Sequence, residues 1–351
     1  MSDKMKAVVM TAPKEYGIQE VEIPQPGYGE VLIRVKAVAI CGSDPKLFEG
    51  LYLPAWPPAY PFIAGHEFSG EIVGLGEGVM GFSVGDRIAG EAHLGCYHCE
   101  NCAVGLYNLC LNYGKPEQGH RHYGFINQGA YAEYAVYNAR ALSIIPENVS
   151  YDEAALLDTA TTAFNGVTLA GIVPAGDSVI IGPGPIGLFA MQFAKAMGSR
   201  TIVLGRGARL EKAKALGADI TIDISKENAV EAVNKVTNGR RADQVFECVG
   251  AEDTVAQAPL CVKRGGKVVL IGMPIKAEMN VPIKPLVMDQ ISVTGSRASS
   301  NAFPKVLNMF SMGMVDAKSL ITHKFPIEDI HEAVDTFYQR KDGVIKVVVH
   351  P

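Results

Sequence analysis

The sequence predicts an α/β protein in two parts, a β-rich, barrel-like region and a doubly wound parallel sheet. Three observations carry this reading. Up to about residue 155 the chain holds short apolar runs separated by glycine and proline. From Asp177 onward, strand-like runs alternate with helical patterns. The length, 351 residues, suits about two domains.

The strands of the first region are read at KAVVM, EVLIRVKAVAI, SGEIVGLG, DRIAG and AYAEYAVY. Residues 51–62, LYLPAWPPAYPF, contain four prolines and read as a loop. In the second region SVII precedes PIGLFAMQFAKAMG, RTIVL precedes ARLEKAKALG, and ADITID precedes KENAVEAVNKVT. DQVFECV then precedes DTVAQAPLCV, and GKVVLIG and ISVTG follow. Six strands joined by helices or crossovers give a parallel sheet. The tail adds two helical pieces, FPKVLNMFSMG and IEDIHEAVDTFYQRK, and a closing strand, VIKVVVH.

Composition excludes several classes. Hydrophobic residues make up 48%, enough for sizeable cores, and 32 basic against 37 acidic residues give a net charge of −5. Nothing in that balance attracts nucleic acid or an anionic membrane. The start of the chain has no secretory pattern, and no apolar run reaches spanning length. A cytoplasmic protein is expected. Four of the seven cysteines fall within residues 96–110, and in a reducing compartment such a cluster reads as metal ligands before disulfides.

The segment GPGPIG fits G-x-G-x-x-G after a strand and at the opening of a helix, the context a dinucleotide turn needs. Gly182 makes the tight turn, Gly184 lets backbone approach a pyrophosphate, and Gly187 allows helix to pack on strand. The helix N-terminus then faces the phosphates. Cys96, Cys99, Cys102 and Cys110 are spaced C-x2-C-x2-C-x7-C, which suits a closed tetrahedral zinc site. An iron–sulfur cluster is the rival, but its bacterial run has a shorter last gap and a following proline. A second, scattered set comprises CGSD at 41–44, GHE at 65–67 and the acid Asp158. Together with a dinucleotide turn it suggests a zinc held by about three protein groups, with one position open.

On GHEFSGEIVGLGEGV, the four-cysteine lobe, GPGPIG, KAKALGAD and GGKVVLIG, the chain resembles the zinc-dependent medium-chain alcohol and polyol dehydrogenases over almost its whole length. The resemblance implies a GroES-like, β-rich catalytic domain from residues 1–158 and 297–351, with a Rossmann domain at 159–296 and a structural zinc lobe near 93–113. It implies Cys41 and His66 as catalytic zinc ligands, Glu67 as a ligand or just behind the metal, and Asp158 as a further ligand. Asp44 would orient His66, and Ser43 would take the substrate proton. Lys46 stands where relatives often carry a histidine that ends the proton relay. Thr162 falls beside the nicotinamide, and Pro185, Ile186, Val249, Gly250, Ile271 and Lys346 fall at the cofactor.

The implied reaction is hydride transfer between NAD(P) and an alcohol or ketone, with zinc as Lewis acid. Two zinc ions per chain are expected. Zinc-free quinone or enone reduction on the same scaffold is one rival reading, and a non-catalytic binding protein is another. NAD-selective sites usually carry an acid about 20 residues past the glycine turn. Here RTIVL runs into Gly205, Arg206, Gly207, Ala208 and Arg209, and the first acid is Glu211. Arg206 and Arg209 suit a 2′-phosphate, so NADP is expected over NAD. Lys46, His120, His122 and Arg297 tilt the expected substrate toward a polyol or sugar-derived alcohol. Relatives form dimers or tetramers, so a homo-oligomer is expected.

Overall fold

The computed structural model describes residues 3–274 and 276–351. They form two compact units, one from residues up to 158 with 303–311 and 317–351, the other from 159–302 with 312–316. Residues 297–302 thus group with the second unit and not with the first. Close to that segment, Asn165 Nδ2 donates to Ser296 Oγ at 3.0 Å and ties the chain back to its own unit.

The main sheet of the first unit has seven strands. Along it lie Leu142–Ile144, Arg87–Gly90, Glu67–Leu75, Glu30–Ala39, Lys346–His350 and Ile321–Pro326. Bulges at Leu32/Ile33 and Val35/Ala37 bend the long strand Glu30–Ala39. One of its edges pairs with Glu67–Leu75. The other edge is shared: Tyr134–Asn138 takes residues 30–34, and Lys346–His350 takes Val38 and Ala39. The side chains facing inward, among them Val31, Ile33, Phe68, Ile72, Tyr137, Val347 and Val349, make one buried core. A smaller sheet places Lys4–Ala12 between Glu15–Glu22 and Phe62–Ile63. The strand Glu15–Glu22 (EYGIQEVE) is too polar to show in the hydrophobic pattern, and backbone pairing from Lys4↔Glu22 to Ala12↔Glu15 makes it.

In the second unit six strands run parallel in the order Ile220–Asp223, Arg200–Gly205, Asp177–Ile181, Ala242–Glu247, Val262–Leu270 and Ser292–Gly295. This is the Rossmann order, and its direction reverses between Asp177–Ile181 and Ala242–Glu247. Ligands of such sheets bind beyond the carboxyl ends at that switch point. The strand Asp177–Ile181 is buried along its whole length, as expected for a strand covered on both faces.

Candidate active site

The glycine turn stands at the switch point. Gly182 has φ +95°, and a Cβ there would meet Val249 Cγ2 at 2.3 Å. A Cβ on Gly187 would come within 1.9 Å of the Gly182 carbonyl oxygen, so only glycine lets the helix Pro185–Ala196 start this close to its strand. Gly184 is open, and the nearest atom to its notional Cβ is Arg209 Nη1 at 3.9 Å. Across the switch point the buried Glu247 carboxylate accepts from the amides of Val249 and Gly250, both at 2.9 Å, and from Thr254 Oγ1 at 2.8 Å. It thereby shapes the second loop of the crevice. Ile271 is buried beside Gly166, Arg206 is exposed, and Thr162 is half-buried.

Cys96, Cys99, Cys102 and Cys110 bring their sulfurs within 4.8 Å of one another. The Cys96–Cys102 and Cys99–Cys110 sulfur distances are 3.9 and 4.0 Å. Zinc–sulfur bonds of about 2.3 Å in a tetrahedron need edges of about 3.8 Å, so the donor set fits zinc in size and chemistry. Burial pushes the Cys96 thiol up, but hydrogen bonds from the His98 amide, Asn112 and the Cys99 amide outweigh it and bring the thiol to about 6. Cys102 is pushed up to about 12, chiefly by burial. Only a bound cation lets all four be thiolates together.

The second set forms on two neighbouring elements. Cys41 precedes the short helix Asp44–Phe48, and His66 and Glu67 open the strand Glu67–Leu75. Gly65 has φ +92°, and a Cβ would strike the Tyr131 amide and ring at 2.8 Å. Cys41, His66 and Glu67 each place a ligand atom within 4.8 Å of the others. Asp44 lies beneath them, fully buried. Its Oδ2 accepts from the Cys41 amide and the Tyr131 hydroxyl, each at 2.8 Å, and its Oδ1 is 3.4 Å from His66 Nδ1. Burial opposes charge on His66, and the charges of Asp44 and Cys41 reverse this, pushing its pKa well above the ordinary value. Such a pocket favours a cation. Asp158 stands outside the close triple, but its carboxyl senses His66, Glu67 and Lys346, and desolvation pushes it up to about 6.

The comparisons with known proteins agree. The pattern of the alcohol dehydrogenase GroES-like domain matches residues 27–147, and that of the zinc-binding dehydrogenases matches 185–312. Sorbitol dehydrogenase of Bacillus subtilis (strain 168) is 34% identical over 99% of this chain and 97% of its own. The chain belongs to the zinc-dependent medium-chain alcohol and polyol dehydrogenases. Among solved structures, a zinc-binding dehydrogenase of Sinorhizobium meliloti 1021 bound to NADP superposes with TM-score 0.91, at 28% identity over the full length of both chains. An alcohol dehydrogenase (rspB) of E. coli CFT073 complexed with NADH gives 0.90, at 30% identity and again full coverage of both. The protein is an NAD(P)-dependent alcohol dehydrogenase, and the zinc-free and non-catalytic readings are not favoured.

Within this dehydrogenase, the Ser43 hydroxyl is buried with no hydrogen-bond partner among the described residues, and Lys46 follows half-buried on the short helix that Ser43 caps. Lys346, expected at the cofactor, has its ammonium 2.5 Å from Glu67 Oε2 and 3.0 Å from the Ile40 carbonyl oxygen. His120 and His122 are buried, and the Tyr113 hydroxyl is 2.6 Å from His122 Nδ1; Arg297 is exposed. Three contributors escaped the sequence reading: Tyr131, Glu247 and Phe125, whose ring centroid is 4.6 Å from that of His66. Glu247 left a trace, an acid ending the apolar run Val245–Phe246 of a buried strand. Tyr131 and Phe125 left none.

Proposed function

We propose that this dehydrogenase oxidises a polyol, sugar-derived or small secondary alcohol, or reduces the matching ketone, with Ser43 receiving the alcohol proton. The observation that carries this is the unpartnered Ser43 hydroxyl, two residues from the metal-ligand candidate Cys41. Cys41 and His66 hold the catalytic zinc, with Glu67 or Asp158 completing the set, and the four-cysteine lobe holds a second, structural zinc. A bound zinc supplies Lewis acidity toward the substrate oxygen, and the nicotinamide supplies or accepts hydride. Asp44 fixes the His66 ring from behind, and Lys346 neutralises Glu67. Lys46 passes the proton on from Ser43 or hydrogen-bonds a polar substrate. Thr162, Gly182, Gly184, Pro185, Ile186, Gly187, Val249, Gly250 and Ile271 hold the cofactor. Ser43→Ala tests the assignment: proton transfer by a positioned group contributes about 10²–10⁴-fold, and near-full turnover across pH overturns it.

NADP is the favoured cofactor. Gly205, Arg206 and Arg209 form the stretch where the ribose is bound, with Arg206 at the N-cap of the helix Gly207–Ala215. Guanidinium groups at a helix N-terminus favour a 2′-phosphate. A homo-oligomer is supported by the edge strand Ser292–Gly295, exposed along its length, and by exposed Ile283, Val287 and Met288. Open strand edges of this kind pair readily with a second copy. Cytoplasmic residence is supported by the cysteine usage; among the described residues no helix is long and apolar enough to cross a membrane.

A further inference from the structure

From His66 of one cysteine-bearing site to His93, just before the other, runs a series of rings in contact. His66 meets Phe125 with centroids 4.6 Å apart. Phe125 stacks on His122 at 4.2 Å and 19°, and His122 stacks on His93 at 4.2 Å and 13°. His93 and His122 also face each other as a strand pair, and His93 lies three residues before Cys96. From the other side of the lobe, the Tyr113 amide donates to the Cys110 carbonyl at 3.1 Å, and its hydroxyl is hydrogen-bonded to His122 Nδ1 at 2.6 Å. His122 is further fixed through its backbone: its amide donates to Asn127 Oδ1 at 3.0 Å, and its carbonyl oxygen accepts from the amides of Ile126 and Asn127.

We infer that His122 is a positioning residue that couples the four-cysteine lobe to the catalytic ligand His66, so that a filled lobe sets the metal affinity of the Cys41–His66 site. The inference rests on the reading of both sites as metal sites. The physical argument is one of orientation. The imidazole of His66 has Asp44 at one nitrogen and the Phe125 ring against it, tilted at 44°, so the angle at which it meets a metal follows the Phe125 ring. Phe125 is held in turn by His122 and by the edge of Trp56 at 5.2 Å. The lobe anchors His122 at two points, His93 before its first cysteine and Tyr113 after its last. Stacked aromatic pairs contribute individually little, but packed rings have few alternative arrangements, and a shift at one end is passed on.

Trp56 makes this testable without turnover. It is the chain's one tryptophan, and it stands edge-on to His122 at 5.4 Å and to Tyr113 at 6.4 Å. It also meets Tyr52 at 5.3 Å, and as the one tryptophan its emission reports on the packing of this ring cluster. The experiment loads the lobe with zinc and titrates cobalt into the Cys41–His66 site, following the thiolate–cobalt absorption. Partners behind a metal-ligating histidine typically set affinity by about 10–100-fold. His122→Ala is expected to weaken cobalt binding about tenfold and shift Trp56 emission. His122→Phe, which keeps the stack but loses the Tyr113 hydrogen bond, and Tyr113→Phe should both fall between His122→Ala and the unmodified protein. Cys110→Ser should weaken cobalt binding in the unmodified background and add nothing in His122→Ala, because one path is being broken twice. Equal cobalt affinity in His122→Ala, Tyr113→Phe and the unmodified protein overturns the coupling. If His122→Ala fails to fold, Tyr113→Phe against the unmodified protein decides, equal cobalt affinity overturning the coupling. Unmodified protein that binds no cobalt at Cys41 and His66 overturns instead the reading of that site.

Discussion

Glu67 and Lys346 lie 279 positions apart and form an ion pair of 2.5 Å in which neither side chain is more than 1% exposed. Removing one member of such a pair leaves an uncompensated charge in the interior, at a cost of roughly 3–5 kcal/mol. Lys346→Met should lower unfolding free energy by about that amount, measured by denaturant titration. Adding Glu67→Gln should recover part of the loss. A single variant as stable as the unmodified protein would show that the pair is dispensable.

Two metal sites predict two zinc ions per chain. Cys99→Ser should halve the zinc content and lower stability, since metal binding at a closed site contributes to folding. Cys41→Ser should lower the content by one while leaving the fold intact and the activity absent. Elemental analysis after purification without chelator, with zinc add-back, checks the count, and a value of one after add-back removes one site.

The glycine turn predicts a cofactor defect without loss of fold. The Cβ of Gly187→Ala collides with the Gly182 carbonyl oxygen. Overpacking costs roughly 1–3 kcal/mol of stability, which leaves the fold in place, and the displaced turn should weaken cofactor binding, read by nicotinamide fluorescence.

Cofactor choice can be tested beside that turn, but not at Gly205, where a Cβ would meet Pro183 Cδ at 2.4 Å. Arg206→Asp is the workable change. It should shift the ratio of kcat/KM for NADP over NAD toward NAD, and an unmodified enzyme that already prefers NAD would refute the assignment.

Acid should weaken the second unit through Asp243. Burial opposes its charge, but Lys263 at 2.5 Å, the Asp177 amide at 2.7 Å and Arg240 at 3.2 Å outweigh burial and hold its pKa below the usual carboxylate value. The sign follows from linkage. Stabilisation is present above the unfolded pKa of about 3.9 and is lost as pH falls through the lower folded value. Removing a charged hydrogen-bond partner costs roughly 1.5–3 kcal/mol, so Asp243→Asn should lower Tm at pH 7 by about 3–12 °C. The gap should narrow toward pH 3. A constant gap from pH 7 to pH 3 would assign the loss to packing.

Most Rossmann strands were legible in the sequence because they are buried apolar runs between helical patterns, Ser292–Gly295 being the exposed exception, and GPGPIG was legible because contact requires glycine at Gly182 and Gly187. The four cysteines announced themselves by spacing. The polar strand Glu15–Glu22 was not legible, since only the backbone of Lys4–Ala12 makes it a strand. Nor was the partner of Glu67. Lys346 sits in the closing strand, and nothing local distinguishes a lysine that will be buried from one that will be solvated. Phe125 and Tyr131 are hidden for the same reason: their roles arise from which rings the fold stacks together.

The insertion of Lys346–His350 between Glu30–Ala39 and Ile321–Pro326 has a consequence for synthesis on the ribosome. Cys41, His66 and Glu67 are made early, but the strand that carries the counter-charge of Glu67 and covers the end of Glu30–Ala39 is translated only after the entire second unit. Until then the nascent first unit holds an uncompensated glutamate and an open edge at Val38 and Ala39, the kind of edge that invites mispairing. The second unit, whose strands are all contiguous in sequence, can complete itself first. The catalytic half is thus begun first and finished last, and its zinc ligands gain their final surroundings only when the tail arrives.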